Sequence, residues 1–167
     1  LYLEGKIFWD KGSIVRHQGM GGGVVVIGQW HIKNLKSRFN LGLSKWGGGG
    51  SFFGQGILES SRFTHNQCCL NLRRSPYEVS FPTSDQAIQG GAGLAWNAQG
   101  ELNEVLIMDN RLIDYRVHQG VGALIQPVGT LHLNQVHVYR HPFPSSALTF
   151  KKTALTHEVR IDGLDVR

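Results

Sequence analysis

The residues best suited to chemistry lie close together near the carboxyl-terminal part of the chain. Gln135, His137 and Tyr139 alternate along one apolar stretch, so on a β-strand their side chains share a face. An imidazole or phenol in that setting can remove a proton, and the adjacent Arg140 can neutralise a nearby carboxylate. If the chain is an enzyme, we therefore expect these four residues to form its catalytic site.

A second stretch repeats this alternation. Asp114, Arg116 and His118 share a strand face, which makes Arg116 a second candidate for charge neutralisation and His118 a second candidate histidine. The triplet at 135–137 resembles the short Gln-Val-His strand motif of alginate lyases. That family's Arg-Ser-Glu-Leu and Tyr-Phe-Lys-Ala-Gly strands have no counterpart here, so the resemblance covers three residues and assigns no family.

Eight histidines raise the question of a metal site. His137 and His141 share a strand face but lie about 13 Å apart, since each residue rises about 3.3 Å, while His132 points to the opposite face. No pair has the close spacing of a zinc motif. We expect no metal ion and no cofactor.

The clearest binding signal is a run of cations interleaved with aromatic residues. Aromatic rings can stack on bases or sugars while lysine and arginine attract phosphate or sulfate. The net charge of +5 points the same way, towards an acidic partner. The predicted binding residues are Trp30, His31, Lys33, Lys36, Arg38 and Trp46.

The segments that position these residues are predicted to be β-strands. About a dozen short segments alternate β-branched or aromatic residues with polar ones between glycine, proline, asparagine and aspartate. Residues 97–100 and 109–110 resemble hairpin turns, which predicts a three-stranded antiparallel meander over 94–118. Apolar spacing by three and four allows at most one short helix near 30–43. The expected fold is all-β, an antiparallel jelly-roll-like sandwich or a barrel.

Length and composition predict one β domain over residues 1–167. The glycine-rich run 47–51 is either a natural loop or an engineered linker. No apolar stretch approaches the roughly 20 residues of a membrane-spanning helix. The two cysteines are adjacent, and we expect no disulfide between them because neighbours on a strand point to opposite faces.

No complete catalytic motif is present, so the sequence favours a non-enzymatic binding or assembly protein. In this interpretation a capsid-like or lectin-like module recognises a polyanion or glycan, or associates with copies of itself as a homo-oligomer. One alternative is a carbohydrate-active enzyme such as a polysaccharide lyase, with the catalytic residues named above. The other alternative is a calycin-like barrel that holds a small ligand.

Overall fold

A computed structural model describes residues 1–19, 22–42, 47–68, 91–113, 120–142 and 146–167. Within these ranges the regular structure consists of β-strands. In chain order they are β1 (Tyr2–Trp9), β2 (Gly12–Val15), β3 (Gln18–Gly19), β4 (Val24–Lys33), β5 (Leu35–Arg38), β6 (Leu41–Gly42), β7 (Gly50–Glu59), β8 (Arg62–Thr64), β9 (Gln67–Cys68), β10 (Leu94–Asn103), β11 (Leu106–Met108), β12 (Arg111–Leu112), β13 (Ala123–Ile125), β14 (Gly129–Asn134), β15 (Val136–Tyr139), β16 (Leu148–Phe150), β17 (Thr156–Ile161) and β18 (Leu164–Val166).

The strands wind into a parallel β-solenoid of about 5 turns. Sheet A contains β1, β4, β7, β10, β13, β14, β16 and β17, sheet B stacks β2, β5, β8, β11, β15 and β18, and sheet C stacks β3, β6, β9 and β12. We call the six stacked strands of sheet B rungs 1 to 6, in chain order. The all-β prediction is confirmed. The antiparallel sandwich, jelly roll and barrel are wrong, because every strand pair among the described residues is parallel.

A continuous core fills the interior of the solenoid. Alternate residues of each strand point inward, and in β4 and β7 these include Trp30, Ile32, Phe52 and Leu58, all buried. The ring centroids of Trp30 and Trp96 lie 5.2 Å apart in an edge-to-face contact, a favourable arrangement for aromatic pairs. Because side chains occupy the interior, the space that a calycin-like ligand site requires is already filled.

Two columns of left-handed residues form the corners on either side of sheet B. One column contains Asn34, Ser60, Glu104 and Gln135, and the other contains Arg16, Phe39, His65, Asp109 and Arg140. All these residues have φ between 47° and 56°, a conformation that turns the chain sharply but is disfavoured for residues with a Cβ atom. The corner geometry therefore recurs in successive turns with different side chains.

A ladder of buried asparagines follows the second corner. Asn40, Asn66 and Asn110 are at most 1% exposed. The side-chain oxygen of Asn66 accepts the backbone N–H of Asn40, and the oxygen of Asn110 accepts that of Asn66, at 3.1 and 2.9 Å. His141 occupies the next position, where its Nδ1 lies 3.2 Å from the backbone nitrogen of Asn110. The ladder satisfies polar groups that the tight corner would otherwise leave buried without partners.

Glycines line the entry to sheet A. Gly23, Gly49, Gly93 and Gly122 stack in successive turns, and a Cβ atom on any of the first three would overlap the carbonyl oxygen of the next. Gly49 also donates its backbone N–H to Ala92 over 2.8 Å. The glycine run at 47–51 is thus packed into the solenoid wall.

Residues 30–42 form strands and no helix, within the limit of at most one short helix, whereas the hairpin predicted at 97–100 is wrong. The described part of the suggested helix, residues 30–42, forms β4, β5 and β6, and the corners between these strands produce the apparent spacing of three and four. Residues 97–100 lie inside β10, so the predicted hairpin and antiparallel meander do not form. The turn predicted at 109–110 exists, but it joins strands of different parallel sheets.

Cys68 ends β9, is fully buried and is disulfide-bonded. The prediction that the two cysteines form no disulfide with each other also concerns Cys69, which lies outside the described residues. In the described part of the chain, no helix is long and apolar enough to cross a membrane.

Candidate functional site: a basic grid on sheet B

The outer face of the first three rungs of sheet B presents its side chains as a grid. In-register pairing places Ser13, Lys36 and Arg62 in one column and Val15, Arg38 and Thr64 in the next. The corner residues Arg16, Phe39 and His65, which follow these strands directly, form the third column. We call these nine residues the basic grid.

Parallel pairing sets the spacing of the charges in this grid. Neighbouring strands lie about 4.8 Å apart, and alternate residues of one strand about 6.6 Å apart. Lys36, Arg38 and Arg62 therefore have their Cα atoms within about 8 Å of one another, roughly the Debye length at physiological salt. All three side chains are exposed, as is that of Arg16. Together they form a compact patch of positive charge.

These cations have no ion-pair partner among the described residues. Among the residues that the structure describes, no carboxylate lies within ion-pair distance of Arg16, Lys36, Arg38 or Arg62. Their mutual repulsion is relieved only by solvent and by bound anions. The grid is therefore suited to an acidic ligand.

The corner column adds an aromatic surface to the grid. The rings of Phe39 and His65 stack with centroids 4.9 Å apart and planes inclined by 31°. Phe39 remains 50% exposed. Beyond His65, the column continues with Asp109, whose carboxylate lies 3.7 Å from the His65 Nε2 atom and 2.6 Å from the Arg140 guanidinium. The positively charged surface therefore ends at the carboxylate of Asp109 in this column.

The structure separates the six predicted binding residues. Lys36 and Arg38 lie in the grid, whereas Trp30 is buried in the core and donates its Nε1–H to the carbonyl of Phe53. His31 and Lys33 lie on the outer face of sheet A, and Trp46 lies outside the described residues.

The two predicted cations on sheet A, His31 and Lys33, are already paired. Glu59 accepts from Lys33 Nζ at 2.8 Å and lies 3.1 Å from His31 Nε2. Hydrogen bonds from these two side chains hold the pKa of Glu59 below its usual range, and Glu59 raises the pKa of Lys33. This part of sheet A has little unbalanced charge to offer a ligand.

Two of the predicted catalytic residues, His137 and Tyr139, lie on the outer face of sheet B at rung 5, beside Asp165 of rung 6. The Tyr139 hydroxyl lies 2.8 Å from His137 Nδ1 and donates to Asp165 over 2.7 Å. Arg167 bonds Asp165 and lies over the Tyr139 ring, with 5.6 Å from its guanidinium carbon to the ring centroid. The structure therefore brings His137 and Tyr139 into contact and adds Asp165, which the sequence prediction did not include.

Hydrogen-bond direction assigns roles within this cluster. A carboxylate only accepts, so the Tyr139 hydroxyl donates to Asp165 and is left to accept from His137 Nδ1–H. In neutral His137, Nε2 is then the free acceptor. The bond to Asp165 raises the pKa of Tyr139, and the bond from Tyr139 lowers the pKa of Asp165. Of the predicted pair, only His137 is arranged to accept a proton.

The remaining catalytic candidates do not join this cluster. Gln135 is the left-handed corner residue before β15 and does not share the strand face of His137. Arg140 pairs with Asp109, and Arg116 and His118 lie outside the described residues. Within the described ranges, no group of three His, Cys, Asp or Glu side chains is placed to hold a metal ion.

Sequence reasoning counted Phe39 among the aromatic residues interleaved with the cations, but it missed Arg16, Arg62 and His65 as members of the basic grid. Arg62 joins Lys36 only through the register between β5 and β8, across 26 residues of chain. The available signal was the repeat of an aromatic or charged residue followed by asparagine, at 39–40, 65–66 and 109–110. Aligning these repeats places Arg62 beside Lys36.

Comparison with known proteins does not assign the chain to a family. No family description, curated protein or solved structure matches the chain.

Proposed function

We propose that this β-solenoid is a binding protein that recognises a polyanion through the basic grid on sheet B. The observation that carries the proposal is the set of adjacent cations without an ion-pair partner among the described residues, Arg16, Lys36, Arg38 and Arg62. Cations clustered at this spacing gain free energy when an anionic polymer replaces small counterions. A flat array of parallel rungs also suits an extended ligand.

Recognition fits these observations better than self-assembly through the same surface. Two copies that met grid to grid would bring unpaired cations together, and like charges in contact oppose association. An acidic polymer removes the repulsion within one molecule and introduces none between molecules. The proposal therefore concerns a ligand that spans rungs 1 to 3.

The test is the triple variant Lys36→Ala, Arg38→Ala and Arg62→Ala, with a heparin-derived oligosaccharide as the probe. We expect Kd to rise by at least about tenfold and its salt dependence to become shallower, because fewer counterions are released on binding. The matched control removes Lys6, Lys33 and Arg160 from the outer face of sheet A. An equal loss in the control would refute a localised site, as would an unchanged Kd in the triple variant.

A carbohydrate-active enzyme is the second candidate, and the ordered contact from His137 through Tyr139 to Asp165 favours it. A base oriented by a third group is the usual arrangement for proton transfer. In this candidate His137 Nε2 accepts the proton, Tyr139 and Asp165 position the ring, and Arg167 supplies positive charge. Compared with the lyase alternative that the sequence suggested, Tyr139 changes from a candidate base to a positioning residue, and Asp165 and Arg167 are added.

A further inference from the structure

Phe39 is an unusual choice for its position. The corner requires a left-handed backbone, with φ of 56° at this residue, and glycine or asparagine adopts that conformation more easily than a bulky aromatic residue. The ring is also 50% exposed, so it contributes little to the core. Neither backbone preference nor burial explains a phenylalanine here, which makes a role on the surface the better explanation.

The geometry of the column leaves one face of the Phe39 ring available. Stacking at 4.9 Å places His65 of rung 3 against one face. The opposite face is directed towards rung 1, where exposed Val15 and Arg16 lie. No ring or cation contact to that face exists among the described residues. Half of the Phe39 residue surface is open to solvent, and this exposed ring surface is where a ligand ring could stack.

The charges of the grid lie beside this free face. Arg38 precedes Phe39 in the chain, Arg16 lies in the neighbouring rung, and Lys36 lies two residues before Arg38 on the same strand face. A ligand on Phe39 therefore needs a ring with apolar C–H groups and anionic substituents a few ångströms away. Pyranose units that carry carboxylate or sulfate groups have both features.

We infer that the polyanion bound by the basic grid is an acidic glycan, one of whose sugar rings stacks on Phe39 while its anionic groups contact Arg16, Lys36 and Arg38. This inference rests on the proposed polyanion-binding function and narrows its ligand class. Single-stranded nucleic acid fits less well, because its binding proteins stack successive bases on successive aromatic side chains. In the grid His65 already covers the other face of Phe39, so a single platform remains.

The test uses Phe39→Asn, which removes the ring and supplies a residue that favours the left-handed corner, so that folding is preserved. The probes are a sulfated oligosaccharide, inorganic polyphosphate and single-stranded oligo-dT of matched charge. We expect Phe39→Asn to weaken oligosaccharide binding about fivefold and to leave polyphosphate binding unchanged. The control Phe8→Asn removes an exposed ring from sheet A and should change neither affinity.

Three other outcomes would each contradict a specific step: the proposed function, the assignment of a glycan, or the choice of a glycan over a nucleic acid. If the wild type binds none of the probes, the proposed function fails, and this inference fails with it. If both polyanions bind and Phe39→Asn changes neither affinity, the glycan assignment is wrong while the basic grid stands. If oligo-dT binding is weakened and oligosaccharide binding is not, the platform stacks on bases and the ligand is a nucleic acid.

Discussion

Replacing the central asparagine of the buried ladder should destabilise the solenoid strongly. The Asn66 side-chain oxygen accepts from the backbone N–H and the Nδ2 of Asn40, and its Nδ2 donates to Ser37 O and Asn110 Oδ1, all at 3.0 to 3.1 Å. Asn66→Ala removes all four hydrogen bonds and leaves the buried Asn40 N–H without its acceptor. Asn40 Nδ2 keeps Ser37 Oγ as a partner, and Asn110 Oδ1 keeps the Asn66 backbone N–H.

The magnitude follows from these partners. An orphaned buried donor costs about 1–3 kcal/mol, and each lost hydrogen bond whose other groups stay satisfied costs about 0.5–1.5 kcal/mol. One orphaned donor and three further lost hydrogen bonds give an expected loss of about 2.5–7.5 kcal/mol, a large fraction of the roughly 5–15 kcal/mol typical of a folded domain. The measurement is urea denaturation followed by circular dichroism, with the wild type in parallel.

The matched control is Asn103→Ala on the outer face of sheet A. Asn103 is half-buried and makes one side-chain bond, to Glu101, so its removal should cost less than about 1 kcal/mol. The reasoning would be refuted if Asn66→Ala stayed within about 1 kcal/mol of the wild type, or if the two variants lost equal stability.

Two further predictions concern histidines. Burial lowers the pKa of His141, so below about pH 6.5 the unfolded chain binds more protons than the folded one, and the free energy of unfolding falls as pH falls. His141→Asn extends the asparagine ladder and should flatten this dependence, measured as urea midpoints near pH 7.5 and about pH 5; an unchanged slope would contradict the assignment. For His137, we expect nitrogen NMR to show the Nδ1–H tautomer in the wild type and its loss in Tyr139→Phe. A wild-type ring protonated at Nε2 would eliminate His137 as the free base.

The sequence predicted strands reliably because alternation is a local property. β4 shows it clearly, with Trp30 and Ile32 inward and His31 and Lys33 outward. Parallel and antiparallel strands share this alternation, and the same glycine and asparagine residues mark corners in one case and hairpins in the other. The direction of pairing was therefore not contained in any single segment.

The information that decides pairing direction lies in the repeats. Gly-x-Gly recurs at 21–23, 47–49, 91–93 and 120–122, before the strands of sheet A, and asparagine recurs at 40, 66 and 110. Repeats of 20 to 50 residues are the signature of a solenoid. The spacing here varies from 26 to 44 residues, which hides the period from inspection, and the asparagines resemble ordinary turn residues although they are buried.

The candidate site was also only partly predictable from the sequence, because some of its contacts depend on how the rungs pair. Lys36 and Arg38 are two residues apart, so alternation alone predicts their shared face. Arg62 beside Lys36 and Asp165 beside Tyr139 depend on register between rungs, and only the three-dimensional structure supplies it. Residues that act across turns of a solenoid are distant in the chain, and sequence motifs of fixed spacing do not detect them.

The contrast between the two outer faces is the reason for proposing a ligand site on sheet B. A solenoid needs its inward residues for packing, whereas its outward columns are free to differ as long as charge is balanced. On sheet A balance is present: Glu59 pairs with His31 and Lys33, and Asp162 pairs with His132 and Arg160. On the first rungs of sheet B the cations stand in register, and no carboxylate among the described residues lies within ion-pair distance of them; they also lie beside an aromatic ring in an unfavourable backbone conformation. Packing of the solenoid requires neither feature, and the acidic ligand that we propose would account for both.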